Sequence, residues 1–136
     1  MNPVVQQEVT GCAIAIAATI AGISYPQAKR VANHMGIHAD NPALWSETGP
    51  VRRLLERLGI GTDPVERPFS GWEALPDCAI LATKWHIWRG RPHWHWVVFV
   101  REAGRAYVLD SKKELKTQVR TDFGRIKPRW YIPVRP

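Results

Sequence analysis

Cys12 opens an apolar, alanine-rich run, Ala13 to Ile23, and Gln6 stands six positions upstream of it. Far along the chain, His95 opens the strand-like stretch His95-Trp96-Val97-Val98-Phe99-Val100, and Asp110 closes the next one, Tyr107-Val108-Leu109-Asp110. A thiol at a helix N-terminus is drawn toward the thiolate by the helix dipole and the unpaired amide donors there. A histidine and a carboxylate delivered by separate strands supply a base and the group that orients it. The four residue types together describe a cysteine-nucleophile acyl-transfer site. That chemistry requires no cofactor.

The elements that must position these residues can be read in turn. Residues 1–9 are polar and extended. The pattern predicts a helix from Cys12 to Ala21, stopped by Gly22. Ser24-Tyr25-Pro26-Gln27 offers an N-cap, a first-turn proline and a capping-box glutamine, so a second helix should run to about Gly36. Thr48-Gly49-Pro50 starts a third, with Val51, Leu54, Leu55 and Leu58 as its apolar stripe, Arg52, Arg53 and Arg57 on its wet face, and Gly59 as its end. Ser70-Gly71-Trp72-Glu73 suggests one short capped turn. Strands are expected at Ala79–Thr83, His95–Arg101, Arg105–Leu109 and Arg129–Val134, with Glu102-Ala103-Gly104 as a hairpin connection. Helices first and antiparallel strands after mean an α+β fold. No internal repeat or low-complexity segment interrupts this order.

With 136 residues the chain is expected to form one domain, residues 1–136, able to bury a single core. Nineteen Lys and Arg against twelve Asp and Glu give a net charge of +7, which suits an acidic partner, a nucleic acid or an anionic surface without choosing among them. Of the two cysteines, Cys78 lies in Pro76-Asp77-Cys78-Ala79-Ile80-Leu81, the start of a buried strand, where it reads as a small hydrophobe. Nothing points to secretion, and a Cys12–Cys78 disulfide stays open at this point. Val9-Thr10-Gly11-Cys12 superficially matches a lipoprotein cleavage box, yet the residues before it lack the positive start and apolar core of a signal peptide. The apolar run after it is too short to span a bilayer. A cytoplasmic protein without membrane insertion is the expectation.

The order Gln-x5-Cys at a helix start, a His-aromatic-Val-Val strand and an Asp ending the next strand resembles the C39-type papain-like cysteine peptidases, which include the leader-removing domains of bacteriocin exporters. The resemblance runs roughly from Val5 to Ser111 and takes in Leu75-Pro76-Asp77-Cys78-Ala79-Ile80-Leu81. It implies a papain-like fold in which N-terminal helices pack on a C-terminal antiparallel sheet. It also implies peptide-bond hydrolysis through a thioester. Cys12 would be the nucleophile, His95 the general base and later acid, and Asp110 the residue that fixes the imidazole tautomer. Gln6 would donate its side-chain amide to the oxyanion beside the backbone N–H of Cys12; losing one such donor costs about 3 kcal/mol of barrier. A peptide or protein substrate is implied, with a leader peptide and a separately encoded transporter resting on the analogy alone. Gly11 and Ala13 stand where the family has an acidic residue and a glycine, and Ser111 where it often has proline, which leaves the substrate class open.

Competing readings remain at several residues. A cysteine opening an apolar helix is, alone, more often packing than catalysis. His93 rivals His95 because the two point to the same sheet face, and Gln7 rivals Gln6 by one position. Asp110 can also cap a strand or turn. His34 and His38, with His93, His95 and a cysteine, would be the ligands of a metal site, but no compact zinc-like spacing occurs, and His34, His38 and His86 read as surface or loop residues. Trp85, Trp88, Arg89, Arg91 and Trp94 interleave aromatics with basic residues in what reads as a loop before the histidine strand. Lys112, Lys113, Lys116, Arg120, Arg125, Lys127 and Arg129 make the C-terminal third basic. A catalytically silent papain-like module that binds peptide or nucleic acid through this surface is therefore the alternative. The same loop also suits a wall of a peptide cleft.

Overall fold

The computed structural model describes all residues, Met1–Pro136. Four helices come first, α1 (Cys12–Ala21), α2 (Tyr25–His34), α3 (Ala43–Ser46) and α4 (Gly49–Arg57). Seven strands follow: β1 (Gly61–Thr62), β2 (Arg67–Pro68), β3 (Cys78–Trp88), β4 (Arg91–Glu102), β5 (Arg105–Leu109), β6 (Val119–Arg120) and β7 (Trp130–Arg135). The fold is α+β. Every strand pairing is antiparallel, in the order β1-β7-β3-β4-β5-β6, with β2 beside β7.

Helix α1 has the boundaries its sequence predicts, and Gly22 closes it in the left-handed conformation at φ 71°. Nine of its ten residues are buried, so it lacks a wet face and runs through the core. Helix α2 has the expected capping box, Ser24 Oγ accepting from Gln27 N–H while Gln27 Oε1 accepts from Ser24 N–H. It buries Tyr25, Ala28 and Ala32 at helical spacing against α1.

The sheet alternates cleanly. Ile80, Ala82, Trp96, Val98, Val100 and Leu109 join the helices in the larger core cluster. Ala79, Leu81, Val97, Phe99 and Val108 face a smaller one closed by Leu75, Ile126 and Tyr131. Trp96 is fully buried, and its indole N–H donates to the carbonyl of Leu44 at 3.0 Å, which ties α3 to β4.

Three expectations need correction. Helix α3 makes a fourth helix where three were expected; its four residues are too few to show a period. The tryptophan-rich loop is instead strand: β3 and β4 continue past the core as a hairpin, with His86 opposite His93 and Trp88 opposite Arg91. Lys84, at φ 53°, sits in a β-bulge between Thr83 and His86, and that irregularity broke the alternation in sequence. Finally, Arg120 does not belong to a loose basic surface, because it is held by Asp110 and Asp122. No helix is long and apolar enough to cross a membrane.

Candidate active site

Cys12 is the first residue of α1 and is 5% exposed. The turn before it brings Gly11 N–H to the carbonyl of Glu8 at 3.0 Å. Gly11 caps the helix with no side-chain hydrogen bond, and the first intrahelical bond runs from Ala15 N–H to Gly11 O. The amides of Cys12, Ala13 and Ile14 therefore have no acceptor within the protein. A free set of donors stands beside the thiol.

His95 comes from the middle of β4, where its backbone pairs with Thr83, and the Thr83 hydroxyl donates to the His95 carbonyl at 2.9 Å. Its Nε2 is 2.8 Å from Oδ1 of Asp110, which leaves Nδ1 as the ring nitrogen without a hydrogen-bond partner. Asp110, at the end of β5, is 1% exposed and fully engaged. Oδ1 also accepts from the Lys112 backbone N–H at 3.1 Å, and Oδ2 accepts from Arg120 at 3.0 Å.

Burial alone would lower the His95 pKa. The hydrogen bond to Asp110, the neighbouring Cys12 and the Asp110 charge outweigh it and raise the value from the ordinary 6.5 to about 9. Burial would raise the Asp110 pKa, but His95, the Lys112 amide and Arg120 outweigh it and hold the carboxyl at about 2, down from 3.8. The arrangement thus favours the imidazolium of His95 at neutral pH.

His93 differs from His95 in its company. It stacks on His86 with ring centroids 5.7 Å apart and meets Trp88 edge-on at 5.4 Å, with no hydrogen bond to a carboxylate. The two histidines do line one cavity of about 260 Å³, together with Cys12, Trp45, Lys84 and Trp94. His34, His38 and His86 are exposed, and no group of three or more His, Cys, Asp or Glu side chains is arranged to hold a metal ion. Cys78 lies away from the cavity with its thiol free, pushed up to about 11 by burial.

Gln6 is placed differently from what an oxyanion donor alone would need. Its Nε2 donates to the carbonyls of Glu8 at 3.0 Å and Val9 at 2.8 Å, and its Oε1 accepts from the Ser111 hydroxyl at 2.8 Å. Its backbone N–H donates to Ser111 O at 3.0 Å. The side chain clamps the N-terminal segment to the residue after Asp110. Gln7, its one-residue rival, is exposed.

Sequence reasoning missed three residues of the site. Arg120 was hidden in a basic run, Trp45 in an unrecognised helix and Lys84 in a bulge. Only the helix carried a local signal, Asn41-Pro42: Asn41 Oδ1 accepts from the Ala43 amide at 3.0 Å. No family model matches the chain, and no curated protein matches it.

Proposed function

We propose that the chain is a papain-like cysteine peptidase of C39-like type, hydrolysing a peptide bond through Cys12, His95 and Asp110. The observation that carries this reading is the position of His95, hydrogen-bonded to Asp110 and lining one cavity with Cys12. Sγ of Cys12 attacks the carbonyl carbon, and the carbonyl π pair moves onto oxygen. The Cys12 N–H, which has no acceptor within the protein, donates to that oxygen in this reading. Gln6 supplies a second donor by exchanging one of its bonds to Glu8 or Val9. Collapse breaks the C–N bond as His95 gives its proton to the leaving amine. Water then attacks the thioester while His95 takes its proton, and Cys12 leaves as thiolate. The reading carries with it a cytoplasmic, cofactor-free enzyme acting on a peptide or protein.

A second reading, a silent papain-like module, rests on the tip of the β3–β4 hairpin. There Ile87 is 57% and Trp88 53% exposed, and the Arg89 guanidinium lies 4.4 Å from the Trp88 ring centroid. One experiment separates the two. Iodoacetamide labelling of Cys12 is followed against pH by mass spectrometry, with Cys78 as internal control. The peptidase reading expects fast labelling that persists to about pH 5–6 and collapses in His95→Ala. It also expects turnover of a peptide mixture that Cys12→Ala abolishes. Labelling indifferent to His95 would overturn it and leave the hairpin surface as the place of function.

A further inference from the structure

A second cavity, of about 350 Å³, also has His95 in its wall. It is lined by Gln6, Gln7, Lys84, Lys112 and Lys113, among others, and meets the Cys12 cavity at Val9, Lys84 and His95. In the proposed reaction the leaving amine takes its proton from His95. The departing part of the substrate therefore lies on the His95 side of the scissile bond, where the second cavity adjoins the first.

The charges there are arranged against one another. Lys84 and Lys112 are neighbours, and burial followed by the Lys112 charge lowers the Lys84 pKa. Neither ammonium, nor that of Lys113, forms an ion pair. Two carboxylates share the lining, but Glu8 is already paired with Lys29 at 3.2 Å, which leaves only Glu114. Both lysines are also fixed to the catalytic elements by their backbones. The Lys112 N–H donates to Asp110 Oδ1 at 3.1 Å. Lys84 occupies the bulge beside Thr83, with its carbonyl 2.8 Å from Nδ1 of His86. Lys84 is held there at φ 53°, a conformation that glycine adopts more readily.

We infer that Lys84 and Lys112 form an anion subsite that seats a carboxylate on the leaving-group side of the substrate. The carboxylate comes either from the C-terminus of a short peptide or from an acidic side chain just after the scissile bond. The inference rests on the reading of Cys12 and His95 as the reacting pair, but its test requires no turnover.

Rates of Cys12 alkylation by iodoacetate and by iodoacetamide are measured in the wild type and in Lys84→Gln/Lys112→Gln. The ratio of the iodoacetate rate to the iodoacetamide rate should fall about fivefold in this double variant. Lys116→Gln/Lys127→Gln, with the same change in net charge, should leave the ratio where it was. An unchanged ratio in the first variant, or an equal fall in the second, overturns the subsite. Should iodoacetamide labelling prove indifferent to His95, the catalytic reading fails while the ratio still reports on the lysines. Blocked tetra-alanine with a free C-terminus, its amide, and the amide with a third-position Glu are then tested as protectors of Cys12. Protection by the free acid alone assigns the C-terminal carboxylate, and protection by the Glu peptide assigns a side chain. Protection by neither overturns the assignment of the subsite to substrate.

Discussion

His95 Nε2 lies 2.8 Å from Oδ1 of Asp110, in a pair whose histidine pKa is raised to about 9 and whose carboxyl is held at about 2. The histidine contributes stability that is full below its ordinary 6.5 and lost as pH rises through about 9. The carboxyl contributes stability that is full above its ordinary 3.8 and lost as pH falls through about 2. Both describe largely one interaction, worth about 2 kcal/mol, so the two are not added. Asp110→Asn should flatten the decline of the urea midpoint on both flanks relative to wild type. Parallel curves for the two proteins would mean that the pair contributes no pH dependence.

Arg120 holds the other oxygen of that carboxylate at 3.0 Å and is itself only 18% exposed. Arg120→Gln leaves a buried carboxylate half-satisfied. A fully buried pair would lose about 3–5 kcal/mol on removing one partner; with Arg120 at the edge of solvent, about 2 is expected. Asp110 is then free to turn, and turnover should drop about tenfold, with partial recovery in Arg120→Lys. Equal loss in the Lys and Gln variants would show that charge has no part in positioning Asp110.

A Cβ built on Gly11 would stand 2.2 Å from the Tyr25 hydroxyl oxygen and 3.1 Å from its ring carbon Cζ. This gives a physical reason for glycine at this position: the room beneath the turn that leads into Cys12 is filled by Tyr25. Gly11→Ala should cost about 2–3 kcal/mol by overpacking. Tyr25 is buried and its hydroxyl, beside Glu8, makes no hydrogen bond of good geometry. Tyr25→Phe should therefore stabilise by about 1 kcal/mol and recover part of the Gly11→Ala loss in the double variant. A destabilised Tyr25→Phe would show that the hydroxyl bonds to Glu8 in solution.

Local rules made the helices legible. Gly22 and the Ser24/Gln27 box fix two termini through backbone chemistry confined to a few residues. The pairing of His95 with Asp110 was legible from the order of residue types, whereas the cue that His95 opens its strand fails, since β4 begins at Arg91. Three features depended on contacts distant in sequence. Helix α3 is short and is held by Trp96, fifty-two positions away. The strand character of residues 84–94 comes from pairing across a bulge, which polar and basic residues disguise. Arg120 reads as solvent-facing until β6 pairs with β5 and brings it to Asp110.

Gln6 poses the sharpest test, because its three side-chain hydrogen bonds give it a structural task as well as the catalytic one proposed for it. An oxyanion donor lost from a preserved fold lowers kcat by about 100–1,000-fold with little change in stability. A strut lost from the junction of residues 6–9 with Ser111 lowers stability by about 2 kcal/mol and moves Asp110's neighbour. Gln6→Ala alone mixes these effects. Ser111→Ala removes only the partner of Oε1 and leaves the Gln6 N–H groups intact, so it isolates the strut. If Gln6 donates to the oxyanion, Gln6→Ala should lose far more turnover than Ser111→Ala at comparable urea midpoints. If the two variants lose turnover equally, the side chain acts by holding the N-terminal segment, and the free amides of Cys12 and Ala13 are left to bind the developing charge.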